Sequence, residues 1–205
     1  MRSIVLNKMM NFVDNGSYTK EELEKIHYGF ECIYIFITKG IVIFTIAYFL
    51  GILKYTALFS LFFGLIRSFA CGLHAKSSIS CLIFSTLLFI IIPYLCKVLV
   101  LNKIINIILL FVSTVLIYIY APADTKKRPI INQNKRKRQK YISISIALSY
   151  IIASIFIEKG LILNTLSFSL TLESIMILPI TYKIFKLPYN NYKSYLESHK
   201  LEGRI

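Results

Sequence analysis

Tryptophan is absent, and aspartate plus glutamate number only 10 against 24 lysines and arginines. The formal charge of +14 is therefore one-sided. In a chain that is 56% hydrophobic, such an excess fits loops facing anionic lipid better than a nucleic-acid surface. No P-loop, no G-x-G-x-x-G turn, no H-E-x-x-H helix and no internal repeat occurs, which removes the usual nucleotide-binding and zinc-peptidase signatures. Cysteine is scarce. Cys32, Cys71, Cys81 and Cys96 lie in or beside apolar stretches, so no disulfides are expected. The first residues lack a short apolar core followed by a small-residue cleavage site, so no cleavable signal peptide is expected either.

What is present is length in apolar runs. Mean hydropathy is +0.65, and stretches near 30–53, 55–71, 79–101, 103–120, 141–157 and 161–182 approach the roughly 20 residues needed to cross a bilayer. The expectation is an all-α fold: a polytopic membrane bundle of six transmembrane helices with an N-terminal amphipathic segment. The chain reads as a single membrane domain over 1–205. Residues 1–28 form amphipathic helices on the cytoplasmic face, 29–182 the bundle, and 183–205 a cytoplasmic tail. Within the first segment, Ile4, Val5, Met9, Phe12 and Val13 recur at helical spacing. After a break at Asp14-Asn15-Gly16-Ser17, Thr19-Lys20-Glu21-Glu22 reads as a capping box. Fourteen tyrosines and 15 phenylalanines supply interfacial aromatics, with Tyr34, Tyr55, Tyr94, Tyr120, Tyr141 and Tyr182 near span ends.

Orientation follows from the basic residues. The loop 121–140 holds Lys126, Lys127, Arg128, Lys135, Arg136, Lys137, Arg138 and Lys140, whereas the tight turns carry one lysine each. That loop belongs on the cytoplasmic side, and counting spans puts both termini and residues 67–81 there as well. Glu31, Lys39, Lys97 and Glu173 lie within spans; Lys97 is near an outer end and can snorkel, whereas Lys39 and Glu173 each lie roughly 13 Å inside the cytoplasmic end of their helix. An unpaired charge well inside a bilayer costs about 2.5–3.5 kcal/mol or more, so the two are expected to form a structural pair.

The most informative stretch is 67–81, a polar interruption between two apolar runs. It holds Arg67, Cys71, Gly72, His74, Lys76, Ser77, Ser78, Ser80 and Cys81. A thiol beside a histidine can act as a nucleophile once its proton is taken. Either cysteine could serve, but Ser77 can cap a new helix with Cys81 in its first turn, where the helix dipole favours a thiolate. The spacing also constrains the backbone. Seven residues of unbroken helix would hold His74 and Cys81 about 10.5 Å apart, too far for proton transfer. For His74 and Cys81 to form a dyad within one chain the helix must therefore break, ending by about residue 73 and restarting near 77, with Gly72 permitting the turn. Cys71, His74 and Cys81 make only three metal ligands, short of a structural zinc set, so neither metal nor cofactor is expected.

Arg67, Gly72, His74 and Cys81, in the order R-x4-G-x-H-x6-C, together with Ala121-Pro122-Ala123-Asp124 in an A-P-A-D loop, resemble the accessory gene regulator protein B (AgrB) family. The resemblance covers nearly the whole chain. One departure is Cys71, where a glycine would be expected beside Gly72. The resemblance implies a cysteine endopeptidase of the bacterial cell membrane that processes quorum-sensing propeptides. Cys81 would be the nucleophile and His74 its base. It implies as partners a small propeptide with an amphipathic leader and an acidic tail, membrane lipids and a second copy in a homodimer, with no nucleic acid. The product would be a thiolactone or lactone ring.

Supporting roles are assigned by chemistry. Arg67 could hold a substrate carboxylate, stabilise an oxyanion or snorkel to lipid phosphate. Backbone N–H groups around Ile79 and Ser80 are alternative oxyanion donors. Asp124 could orient His74 or simply form a turn. Lys126, Lys127 and Arg128 would attract an acidic tail or anchor to lipid. The rival from another class is a small transporter or peptide exporter whose span charges line a path.

Overall fold

The computed structural model describes residue 10 and residues 18–73, 78–99, 101–125, 129–158 and 160–201, apart from the side chains of 20, 21, 25, 32, 78–80 and 198–201. Among these the chain is all-helical, with no strand longer than a single backbone bridge. It divides into two compact units, Met1–Ile46 and Ala47–Ile205.

The first unit is dominated by α1, Lys20–Phe49, which continues three residues into the second. The capping box starts it as expected. The Thr19 N–H donates to Glu22 Oε2 at 2.9 Å, and the Glu22 N–H donates to Thr19 Oγ1 at 3.4 Å. The helix then runs uninterrupted for 30 residues, about 45 Å, so the amphipathic start and the first span are one element. The amphipathic pattern at 4–13 lies outside the described residues except for Met10.

The second unit contains α2 (Leu53–Ala70), α3 (Ser78–Val98), α4 (Lys103–Tyr120), α5 (Gln133–Phe156), α6 (Leu161–Met176), α7 (Pro179–Ile184) and α8 (Asn191–Leu201). Among the described residues, five helices are long and apolar enough to cross a membrane: α1 to α5. The helix is interrupted where an in-chain dyad would require it. α2 ends at Ala70 and α3 begins at Ser78.

Two boundaries differ from the sequence expectation. α5 begins at Gln133, well before 141, because the Asn132 side chain accepts from the Asn134 and Lys135 N–H groups at 2.9 and 3.1 Å. Lysine and arginine then continue the helix readily. The basic residues 135–140 therefore lie on a helix, not in a loop. α6 stops at Met176 rather than running on to 182. Leu178 is extended (φ −67°, ψ 141°) and Pro179 opens α7, because the residue before proline is pushed out of helical conformation. Sixteen residues make α6 about 24 Å long, short of a full hydrocarbon crossing. Glu173 consequently sits in the last turn of α6, not deep within a longer span.

α6 is nonetheless the axis of the second unit, packing against α2, α3, α4 and α5. Ten of its residues are buried, and Asn164, Thr165, Ser167, Ser169, Glu173 and Ser174 are polar. Small side chains let neighbouring helices approach, and hydroxyls satisfy themselves on their own helix: Thr165 Oγ1 donates to the Leu161 carbonyl at 2.8 Å and Ser169 Oγ to the Leu166 carbonyl at 2.9 Å. Asn164 does more. It donates to the Leu99 carbonyl at 2.7 Å and accepts from Asn106 Nδ2 at 3.0 Å, tying the end of α3 and the start of α4 to α6. Tyr150 completes the packing by donating to the Phe62 carbonyl at 2.8 Å, linking α5 to α2.

Replacing Asn164 by leucine leaves the Leu99 and Cys96 carbonyls without this donor. The expected loss of stability is on the order of 2 kcal/mol, measured as a lowered unfolding midpoint in detergent. An unchanged midpoint would show that the asparagine pair carries no weight.

Candidate functional site

The site is assembled where α2 ends. Cys71 takes a left-handed conformation (φ 61°) and its N–H closes the helix on the Arg67 carbonyl at 3.1 Å. Gly72 follows at φ 114°. Positive φ favours glycine, and here space demands it as well. A Cβ at Gly72 would run into the Arg67 guanidinium and lie 3.3 Å from Ile177 Cγ2. The backbone of this turn pairs with a distant loop. The Ala123 N–H donates to the Ala70 carbonyl and the Gly72 N–H donates to the Ala123 carbonyl, each at 3.0 Å. The glycine of the first motif and the A-P-A-D loop, about 50 residues apart in sequence, are thus joined by two hydrogen bonds. Ala121, Ala123 and Asp124 are buried.

Arg67 lies across the turn. Its Nη1 meets Glu173 Oε2 at 3.3 Å and Oε1 at 3.5 Å, and its Nη2 donates to the Leu73 carbonyl. The Glu173 side chain is 0% exposed and that of Arg67 20%. Arg67 therefore has a protein carboxylate as partner, where the sequence suggested a substrate carboxylate, an oxyanion or lipid. Removing one member of such a buried pair costs about 3–5 kcal/mol. Lys39 lies in the first unit and Glu173 in the second, and their pairing stays an expectation.

Asp124 has a role that neither sequence reading named. Its Oδ1 accepts from the Asn191 N–H at 3.0 Å and its Oδ2 from the Tyr192 N–H at 2.8 Å. The carboxylate thus caps α8, where unpaired N–H groups favour an anion. Arg136 reinforces it, with Nη1 at 3.9 Å from Oδ2 and the guanidinium 3.9 Å above the Tyr192 ring. The Tyr182 hydroxyl donates to the Asp124 carbonyl at 3.0 Å.

Cys81 lies in the first turn of α3, half-buried, the position expected to favour a thiolate. Its carbonyl accepts from Ser85 Oγ at 2.6 Å. Ser80 belongs to the same turn, its side chain outside the described set. Cys71, just past the end of α2, is in a different environment. Burial pushes its thiol up, against the pull of Arg67, which keeps it protonated and a poor nucleophile. Gln139 Nε2 donates to its sulfur at 3.7 Å. His74, Lys126, Lys127 and Arg128 lie outside the described residues.

Sequence reasoning missed the Arg67–Glu173 pair, Arg136 and the α8 cap. For the last, Asn190-Asn191 after Pro188 was a readable helix-start signal. The other two depend on which helix faces meet.

The architecture is that of a multi-pass membrane protein whose polar, cysteine-bearing break is tied to a second loop. A family model described as Accessory gene regulator B matches residues 6–177. An AgrB-like protein of Clostridium acetobutylicum is 36% identical over 171 residues, 83% of this chain and 82% of that one. An Accessory gene regulator protein B of Staphylococcus aureus (strain Newman) is 40% identical over 144 residues, 70% and 75% of the two chains. One from Staphylococcus epidermidis is 36% identical over 156 residues, 76% and 79%. No solved structure matches. The chain belongs to the accessory gene regulator B family.

Asp124→Ala removes the acceptor from two N-terminal amides of α8. The expected cost is about 1 kcal/mol of local stability, read as faster hydrogen exchange at Asn191 and Tyr192 with the bundle unaffected. Equal exchange would mean that α8 is held by other contacts.

Proposed function

We infer that this protein is a membrane-embedded cysteine endopeptidase in an accessory gene regulator system, processing a quorum-sensing propeptide. The observation that carries the reading is the break between α2 and α3. It places Cys81 in the first turn of a helix, and the backbone entering the break is fixed to the A-P-A-D loop. Family membership supplies the substrate class.

The steps follow from these groups. His74 takes the proton of the Cys81 thiol. The thiolate attacks the carbonyl carbon of the peptide bond preceding the propeptide's acidic tail. N–H groups at the start of α3, including that of Ser80, stand where a helix N-terminus stabilises an oxyanion. The tetrahedral adduct collapses, His74 returns its proton to the departing amine, and the tail leaves. The remaining peptide is held on Cys81 as a thioester. A thiol or hydroxyl of the same peptide then attacks that thioester, forming a thiolactone or lactone and regenerating the Cys81 thiol. Enclosure among helices favours this capture over hydrolysis.

The protein lies in the bacterial cell membrane with both termini and the 121–140 segment cytoplasmic, α6 together with α7 returning the chain to the side where Asp124 binds α8, so that residues 67–81 meet a newly made substrate. Lys126, Lys127 and Arg128 attract its acidic tail, and the working form is a homodimer. A transporter reading is less well supported, because the buried charge of Glu173 is engaged by Arg67 rather than open to a path.

Co-expression with a short reading frame encoding an amphipathic leader, a cysteine or serine and an acidic tail tests this, with products read by mass spectrometry. Cys81→Ala and His74→Ala are each expected to abolish cleavage while remaining in the membrane, and Cys71→Ala to retain it. Cleavage by Cys81→Ala would defeat the thiol mechanism.

A further inference from the structure

Glu173 is a carboxylate with no direct place in the chemistry above, yet it is fully buried in the most enclosed helix of the second unit. Burying a charge is costly unless it is paired. A simple tie between helices could use neutral groups, as Asn106 and Asn164 do. Here the tie is ionic, and its partner has a second task. The Arg67 guanidinium accepts no hydrogen bonds and donates in a fixed planar fork. With Nη1 on Glu173, Nη2 is aimed at the Leu73 carbonyl. Leu73 is the residue immediately before His74 in the sequence. Gly72 has no side chain to obstruct the fork, and Ala123 holds the Gly72 N–H.

We propose that Glu173 is a positioning residue: by orienting Arg67 it fixes the 72–73 backbone, on which the Cys81–His74 chemistry inferred above depends. The proposal rests on the Cys81–His74 reading. It assigns Arg67 to the protein's own backbone rather than to a substrate carboxylate, and the two assignments predict opposite effects. If Arg67 held the substrate, Glu173 would compete with it, and neutralising Glu173 would strengthen binding. If Arg67 holds the Leu73 carbonyl, neutralising Glu173 lets the fork turn away and the 72–73 backbone loosens.

The test uses the full-length protein in native membranes as wild type, Glu173→Gln, Glu173→Asp and His74→Ala. One readout is hydrogen exchange at the Gly72 and Ala123 amides. The other is iodoacetamide alkylation of Cys81, followed by peptide mass spectrometry, as the ratio of the rate at neutral pH to that at alkaline pH. At alkaline pH any accessible thiol ionises, so the ratio reports activation rather than access. In Glu173→Gln, exchange at Gly72 and Ala123 is expected to rise by about tenfold while amides in the middle of α4 and α6 stay protected. The Cys81 ratio should fall to that of His74→Ala. Glu173→Asp, with its charge drawn back by one methylene, should move both readouts in the same direction and carries the test if the glutamine variant fails to reach the membrane. A high wild-type ratio left untouched by either substitution overturns this proposal alone, even if exchange rises. A wild-type ratio no higher than that of His74→Ala overturns the dyad reading, and this proposal with it.

Discussion

A single buried ion pair, Arg67 with Glu173, shapes the part of the molecule that matters most. A carboxylate with no exposure is costly to ionise unless a cation pairs with it, and the cation that reaches it comes from the last turn of α2. That demand fixes the end of α2 against the end of α6. The geometry of the fork then brings the guanidinium over the chain just beyond α2, which must be glycine to pass beneath it. Once Gly72 is in place, its N–H is free to meet the Ala123 carbonyl, and the A-P-A-D loop is drawn to the same spot. Asp124, one residue on, caps α8. A charge pair, a turn, a loop and the C-terminal helix form one connected arrangement.

The opposite end of α6 is held by neutral side chains. There, Asn164 and Asn106 bind each other and the carbonyls where α3 gives way to α4. Neutral pairs suffice where nothing but packing is required, whereas the α2–α3 break carries charge. The contrast is the physical reason for reading that break as the working end.

Much of this was legible in the sequence. Apolar run length marked the spans, because the bilayer imposes that length. The Thr19–Glu22 capping box and the break after α2 were readable because both are local: one depends on residues three apart, the other on a polar run that no membrane helix accommodates. The motif residues Arg67, Gly72 and Cys81 could be picked out, but not what Arg67 touches. Its partner is 106 residues away, and only the rotation of α2 and α6 about their axes brings the two together. Asp124 likewise finds its helix 67 residues on. The early start of α5 and the early stop of α6 were misjudged for a different reason. Hydropathy follows lipid exposure rather than helical conformation, so a charged helical turn at 133–140 read as loop, and an apolar run broken by Pro179 read as one span.

The claim on which the account turns is that Cys81 becomes covalently bonded to the substrate. Incubating membranes with the propeptide, quenching in acid and mapping the protein by mass spectrometry tests it most directly. The account predicts an adduct on Cys81 with the mass of the propeptide lacking its tail, released by hydroxylamine as a thioester must be. Release of the tail with Cys81 unmodified throughout, under conditions that preserve thioesters, would contradict it.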